Sequence, residues 1–175
     1  MSGPADLWVR TADVFGERLA AVTDAQWADA TPCSEWNVRQ LVDHAVDAQR
    51  RLGGLFGAAI TDGADWAATR AAVETAIADP ANLAGNAPPQ VFGGMPKHQL
   101  LGIAVGDLLL HTWDLARATG GDETLPAEAV EAVLMGFRRM PEPVLRSSRM
   151  FGPAVEVADD AGEQDQLLAF TGRQP

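Results

Sequence analysis

The chain has three histidines, so each can be weighed as a ligand or a base. His44 falls on the apolar side of a helical stretch, with Leu41, Ala45 and Ala48 within about one turn of it. Asp107 and His111 break into the most apolar run of the chain, four residues apart. On a helix that spacing puts both side chains on one face, about 5–6 Å apart at Cβ. Leu100, Ala104, Leu108 and Leu115 extend along roughly the same side. A carboxylate in such a run is costly unless it is paired, hydrogen-bonded or coordinated. Two imidazoles and a carboxylate converging from two facing helices fit one divalent ion: zinc foremost, with nickel, cobalt, manganese or iron(II) as alternatives. Three protein ligands leave positions for water or substrate, as in catalytic rather than structural zinc sites. Spacing alone leaves a plainer reading open, in which Asp107 and His111 form an ion pair and His44 is a core residue.

Other residues carry weaker signals. Cys33 lies in the loop before the His44 helix and could be a ligand or nucleophile, although a lone cysteine commonly serves as a small packing residue. His98, after Pro96 and Lys97, reads as a solvated residue at a helix start. Trp36 and Trp113 could line a pocket mouth or fill the core. Asp114 could orient a ligand from behind, cap, or pair with Arg39. Arg39 and Arg117 could meet an anionic substrate, with surface ion pairs as the default. No separate general base stands out.

The elements that would position these groups are helical. Ala and Leu dominate, and Val and Ile seldom cluster. A first helix opens after Pro4, which suits a first turn, carries Leu7, Val14, Phe15, Leu19 and Val22, and ends near residues 23–24. A second follows the breaker segment 31–34, with Ser34 or Asn37 as its cap. Its apolar side is Trp36, Val38, Leu41, Val42, Ala45, Ala48, Leu52 and Leu55, and Gly53 and Gly54 weaken its end. A third covers residues 65–78. Residues 79–96, rich in Gly, Pro and Asn, read as a long loop. The fourth helix, residues 98–119, is the clearest and is closed by Gly120-Gly121. A fifth runs from Pro126 to about Met140, and Pro141-Glu142-Pro143 marks a break. Residues 154–157 alternate and predict a short strand or extended segment, and residues 165–170 a last helical turn. No repeat or second domain appears, so residues 1–175 read as one all-α domain, a bundle of four or five helices with a long crossover.

Composition excludes several function classes. The 175 residues are 47% apolar, enough for a full core. The net charge of −11 and the absence of a Lys/Arg stripe argue against nucleic-acid backbones and anionic lipid. One cysteine permits no intrachain disulfide and fits a reducing compartment. The N-terminus lacks a signal-peptide pattern, and the apolar run near residues 100–110 is too short to cross a bilayer. The expected location is the cytoplasm.

The segment Thr31-Pro32-Cys33-Ser34-Glu35-Trp36-Asn37-Val38-Arg39-Gln40-Leu41-Val42-Asp43-His44 resembles the opening signature of the mycothiol-dependent maleylpyruvate isomerase N-terminal family, within the DinB-like metalloproteins. Asp107-Leu108-Leu109-Leu110-His111-Thr112-Trp113-Asp114-Leu115-Ala116-Arg117-Ala118-Thr119-Gly120 resembles its second signature. Phe151-Gly152-Pro153-Ala154-Val155-Glu156-Val157 and the stretch from Asp165 to Pro175, ending Gly172-Arg173-Gln174-Pro175, look like its short actinobacterial subgroup. The resemblance spans essentially the whole chain. It implies a DinB-like four-helix bundle with a short C-terminal extension. It also implies one divalent metal held by His44, Asp107 and His111, with Asp107 one methylene shorter than the glutamate of the isomerase.

The function expected on this basis is a metal- and thiol-dependent transferase or isomerase. The ion would activate a small-molecule thiol, mycothiol on the family analogy, for addition to an electrophile, isomerisation or S-transfer. A non-catalytic metal- or small-ligand-binding protein is the alternative. A homodimer is compatible with such a bundle, but no residue selects it.

Overall fold

The structure is a computed structural model that describes residues 2–140 and 151–175. Among these residues there are six α-helices: α1 (Pro4–Ala20), α2 (Val38–Leu55), α3 (Trp66–Ile77), α4 (Lys97–Thr119), α5 (Ala127–Arg139) and α6 (Glu163–Phe170). The fold is all-α and matches the expected DinB-like bundle. The helix bounds follow the expected ones closely. The first helix stops at Ala20 rather than near residues 23–24, and Trp36 precedes α2 instead of lying on it. No helix among the described residues is long and apolar enough to cross a membrane.

α4 is the central element and packs against α1, α2 and α5. Its residues from Leu108 to Ala116 are all buried, a pattern a helix tolerates only when neighbours cover every side. Gly120, with φ of +66°, ends it, and the Gly121 N–H returns to the Ala116 carbonyl at 2.8 Å. At Gly106 the missing side chain matters, because a Cβ there would lie 2.7 Å from the Phe137 ring of α5. The bare position lets α5 lie close beside the turn of α4 that carries Asp107.

α2 starts sharply. The Gln40 N–H donates to the Asn37 side chain and the Asn37 N–H donates to the Gln40 side chain, each at 3.0 Å. This reciprocal cap selects Asn37 over Ser34 and satisfies two helix-end donors. It fixes the start of α2 ahead of His44. Val38, Leu41, Ala45 and Val46 then bury against the core, the Val and Leu side chains worth roughly 1.5–3 kcal/mol each. Asp65 caps α3 by accepting from the Ala68 N–H at 2.9 Å.

The connection from α3 to α4 is a long loop containing two short 3-10 turns, Pro80–Leu83 and Phe92–Gly94. Its ends are tied by bonds from the Ala87 N–H to the Met95 carbonyl and from the Lys97 N–H to the Gly85 carbonyl. Phe92 has φ of +45°.

The alternating residues 154–157 form no strand. Their pattern finds no partner strand, and the Val155 N–H bonds instead to the Ala169 carbonyl at the end of α6. The break expected at Pro141-Glu142-Pro143 lies outside the described residues. α6 packs on α5, buries Leu167 and Leu168 and carries the last residues of the chain back toward α4.

Candidate metal centre

Helix geometry brings the three expected ligands together. His44 comes from α2, and Asp107 and His111 lie one turn apart on the facing side of α4. Ligand atoms of all three lie within 4.8 Å of one another. His111 Nε2 stands 3.7 Å from Asp107 Oδ1. The His44 and His111 rings meet edge to face at 5.1 Å, and Trp36 lies against the His44 ring at 4.2 Å. This donor set fits a divalent ion such as zinc once His111 gives up its Nε2 proton, since neutral imidazoles and a carboxylate are its ordinary ligands.

The same histidine also joins a second group on its other nitrogen. His111 Nδ1 is 3.1 Å from Asp114 Oδ2, and Cys33 Sγ lies 3.4 Å from that oxygen. Cys33, His111 and Asp114 also have ligand atoms within 4.8 Å of one another. Asp114, however, already accepts two hydrogen bonds from Arg173, at 2.8 and 2.6 Å. Its carboxylate is occupied, whereas Asp107 still turns Oδ1 toward His111 Nε2. The first trio therefore keeps a carboxylate oxygen facing His111, and Asp114 contacts the His111 ring from behind. Of the roles expected for Asp114, pairing with Arg39 is not observed. Arg39 stacks over Trp27, and Arg117 pairs with Glu123 at 2.7 Å. Neither reaches the site.

The site's electrostatics follow from this packing. Burial favours neutral His111, but its bonds to Asp114 and Cys33 and the nearby Asp107 charge outweigh it, and the pKa rises to about 10. Burial would raise the Asp114 pKa, yet bonds from His111 and Arg173 hold it at about 2. Burial, and then the charge of His111, lower the pKa of His44.

The trio opens into a cavity of about 780 Å³, large enough for a sizeable ligand. Trp36, Leu52, Ile103 and Leu110 supply apolar wall, and Phe92 and Arg51 also line it. Trp113 is buried in the core and His98 is exposed at the start of α4.

Three contributors escaped the sequence reading. Gln49 is buried on α2 and bonds Asp107. Its signal was a polar residue one turn beyond Ala45 on an apolar stripe. Arg51 lies seven residues after His44 and so on the same side of α2. Arg173 belongs to the quoted ending, but nothing in its spacing pointed to Asp114.

The comparisons agree with this architecture. The family model described as the mycothiol maleylpyruvate isomerase N-terminal domain matches residues 8–92. Two Mycobacterium tuberculosis relatives, named "Uncharacterized protein Rv0738" and "Uncharacterized protein MT0763", are each 31% identical over 94% of this chain and 94% of their own length. No solved structure matches the chain. The chain belongs to the mycothiol maleylpyruvate isomerase N-terminal domain family.

Proposed function

We propose that the chain is a divalent-metal protein that uses a low-molecular-weight thiol, mycothiol in keeping with the family, to attack an electrophile. The observation that carries this reading is the His44, Asp107 and His111 trio at the wall of a cavity. A bound divalent ion would supply Lewis acidity and the positive charge that lowers the pKa of an entering thiol. His111 is oriented by Asp114, and Arg173 keeps Asp114 ionised. Trp36 packs on His44 and shields that side of the site from water. The apolar wall suits the carbon skeleton of an electrophile. Among the described residues, Arg51 is a lining cation available to an anionic group on it, since Arg173 is already engaged with Asp114. Sulfur addition, bond rotation and loss of the sulfur would isomerise a double bond and return the thiol unchanged. Retention of the new bond would give an S-conjugate.

The test is metal content on protein purified without chelator or affinity tag, followed by turnover with a thiol and a generic electrophile. About one ion per chain is expected in the wild type, with loss in His44→Ala and Asp107→Ala. Unchanged stoichiometry in Asp107→Ala, or no uptake by the wild type after reconstitution, overturns the site. Uptake without turnover would leave a binding protein.

A further inference from the structure

Gln49 is 1% exposed and lies inside the bundle between α1, α2 and α4. Its side chain makes three hydrogen bonds. Oε1 accepts from the Trp8 indole N–H at 2.9 Å. Nε2 donates to the Ala104 carbonyl at 3.1 Å and to Asp107 Oδ2 at 3.3 Å. An indole nitrogen can only donate. Trp8 therefore fixes which end of the Gln49 amide faces it, and the opposite end must present its N–H groups to α4. Two acceptors wait there, the buried Ala104 carbonyl and the half-buried Asp107 carboxylate, so a flipped amide would set oxygen against oxygen and leave the indole N–H unsatisfied.

The geometry points to Gln49, with its orientation set by Trp8, as a positioning residue for the Asp107 carboxylate in the ion site. It holds Oδ2 back and leaves Oδ1, the oxygen 3.7 Å from His111 Nε2, as the one offered to the ion. Asp107 is half-buried, and its short side chain has few rotamers with which to regain that position alone. A carboxylate offering one oxygen occupies less of the ion's coordination shell than one offering two, which leaves room for a thiol. This inference rests on the metal reading above, but it concerns residues outside the trio.

Cobalt(II) is the probe. Gln49→Met keeps the volume and removes the donor, and Trp8→Phe keeps the amide and removes the group that orients it. Circular dichroism identifies the variants that fold. Chelator competition reads affinity, and the visible absorption of bound cobalt reads the ligand environment. Gln49→Met is expected to bind cobalt roughly tenfold or more weakly, with an altered visible band. Trp8→Phe should shift both in the same direction by less, and it carries the test if Gln49→Met does not fold. A residue that serves packing alone would lower thermal stability and leave affinity and spectrum unmoved. Wild-type affinity and spectrum in the folded variants overturn the assignment while leaving the metal site standing. A wild type that takes up no cobalt overturns both.

Discussion

Arg173 grips Asp114 with two guanidinium nitrogens, Nε at 2.8 Å from Oδ1 and Nη2 at 2.6 Å from Oδ2. The pair links the last residues of the chain to the central helix, 59 positions earlier. Asp114 is fully buried and the Arg173 side chain is 12% exposed, so little solvent screens the interaction. Such a fork-to-fork contact is strong in geometry as well as charge. It also occupies the Asp114 oxygen that His111 Nδ1 approaches, so the tail helps set the ring of a candidate ligand.

Removal of one partner strands the other. Arg173→Ala leaves a buried carboxylate with His111 and Cys33 alone, and is expected to lower stability by about 3–5 kcal/mol. Arg173→Lys restores the charge but not the planar fork and should recover only part of that loss. Urea unfolding of both variants checks this. Equal stability of Arg173→Ala and wild type would show that the pair contributes nothing.

The metal-free protein should lose stability in two separate pH windows. The Asp114 pKa is depressed from 3.8 to about 2, so its contribution is complete above 3.8 and fades as pH falls through about 2. The His111 pKa is raised from 6.5 to about 10, so its contribution is complete below 6.5 and fades as pH rises through about 10. Melting temperatures of chelator-treated protein should plateau between these limits. Asp114→Asn should flatten the acid limb and weaken the alkaline one, because it removes one group and the chief support of the other. An alkaline limb identical in Asp114→Asn and wild type would contradict the assignment of that support.

The helices were legible because their causes are local. An Asn37–Gln40 cap, an apolar run of helical length and a Gly-Gly stop lie within a few residues of what they determine. The same locality made the Asp107 and His111 spacing visible, and His44 stood out as one of three histidines, on the apolar side of the facing helix. Gln49 and Arg173 were not legible as site residues. Gln49 is oriented by Trp8, 41 positions away, and Arg173 acts through Asp114, and no periodicity encodes a contact at that separation. Residues 154–157 left a short strand or an extended segment open. Their alternation describes an extended backbone, but a strand needs a neighbour, and only a carbonyl of α6 is offered.

Arg173 reaches Asp114 because of the residue before it. α6 ends with the Gly172 N–H on the Ala169 carbonyl at 3.0 Å and the Arg173 N–H on the Leu168 carbonyl at 2.8 Å, the paired bonds of a Schellman turn. Gly172 takes φ of +85°, and a Cβ there would stand 2.9 Å from the Pro153 carbonyl oxygen. Alanine at this position meets both the left-handed backbone cost and a backbone clash, and Gly172→Ala should lose roughly 1–3 kcal/mol. Gly54→Ala is the control, because its Cβ would meet nothing within 4 Å in α2. It should gain roughly 0.5–1 kcal/mol from helix propensity. If Gly172 acts by delivering Arg173, the losses in Gly172→Ala and Arg173→Ala overlap, and the double variant should fall short of their sum by at least about 0.5 kcal/mol. Strict additivity in that unfolding cycle would mean that the turn and the ion pair stabilise the tail independently.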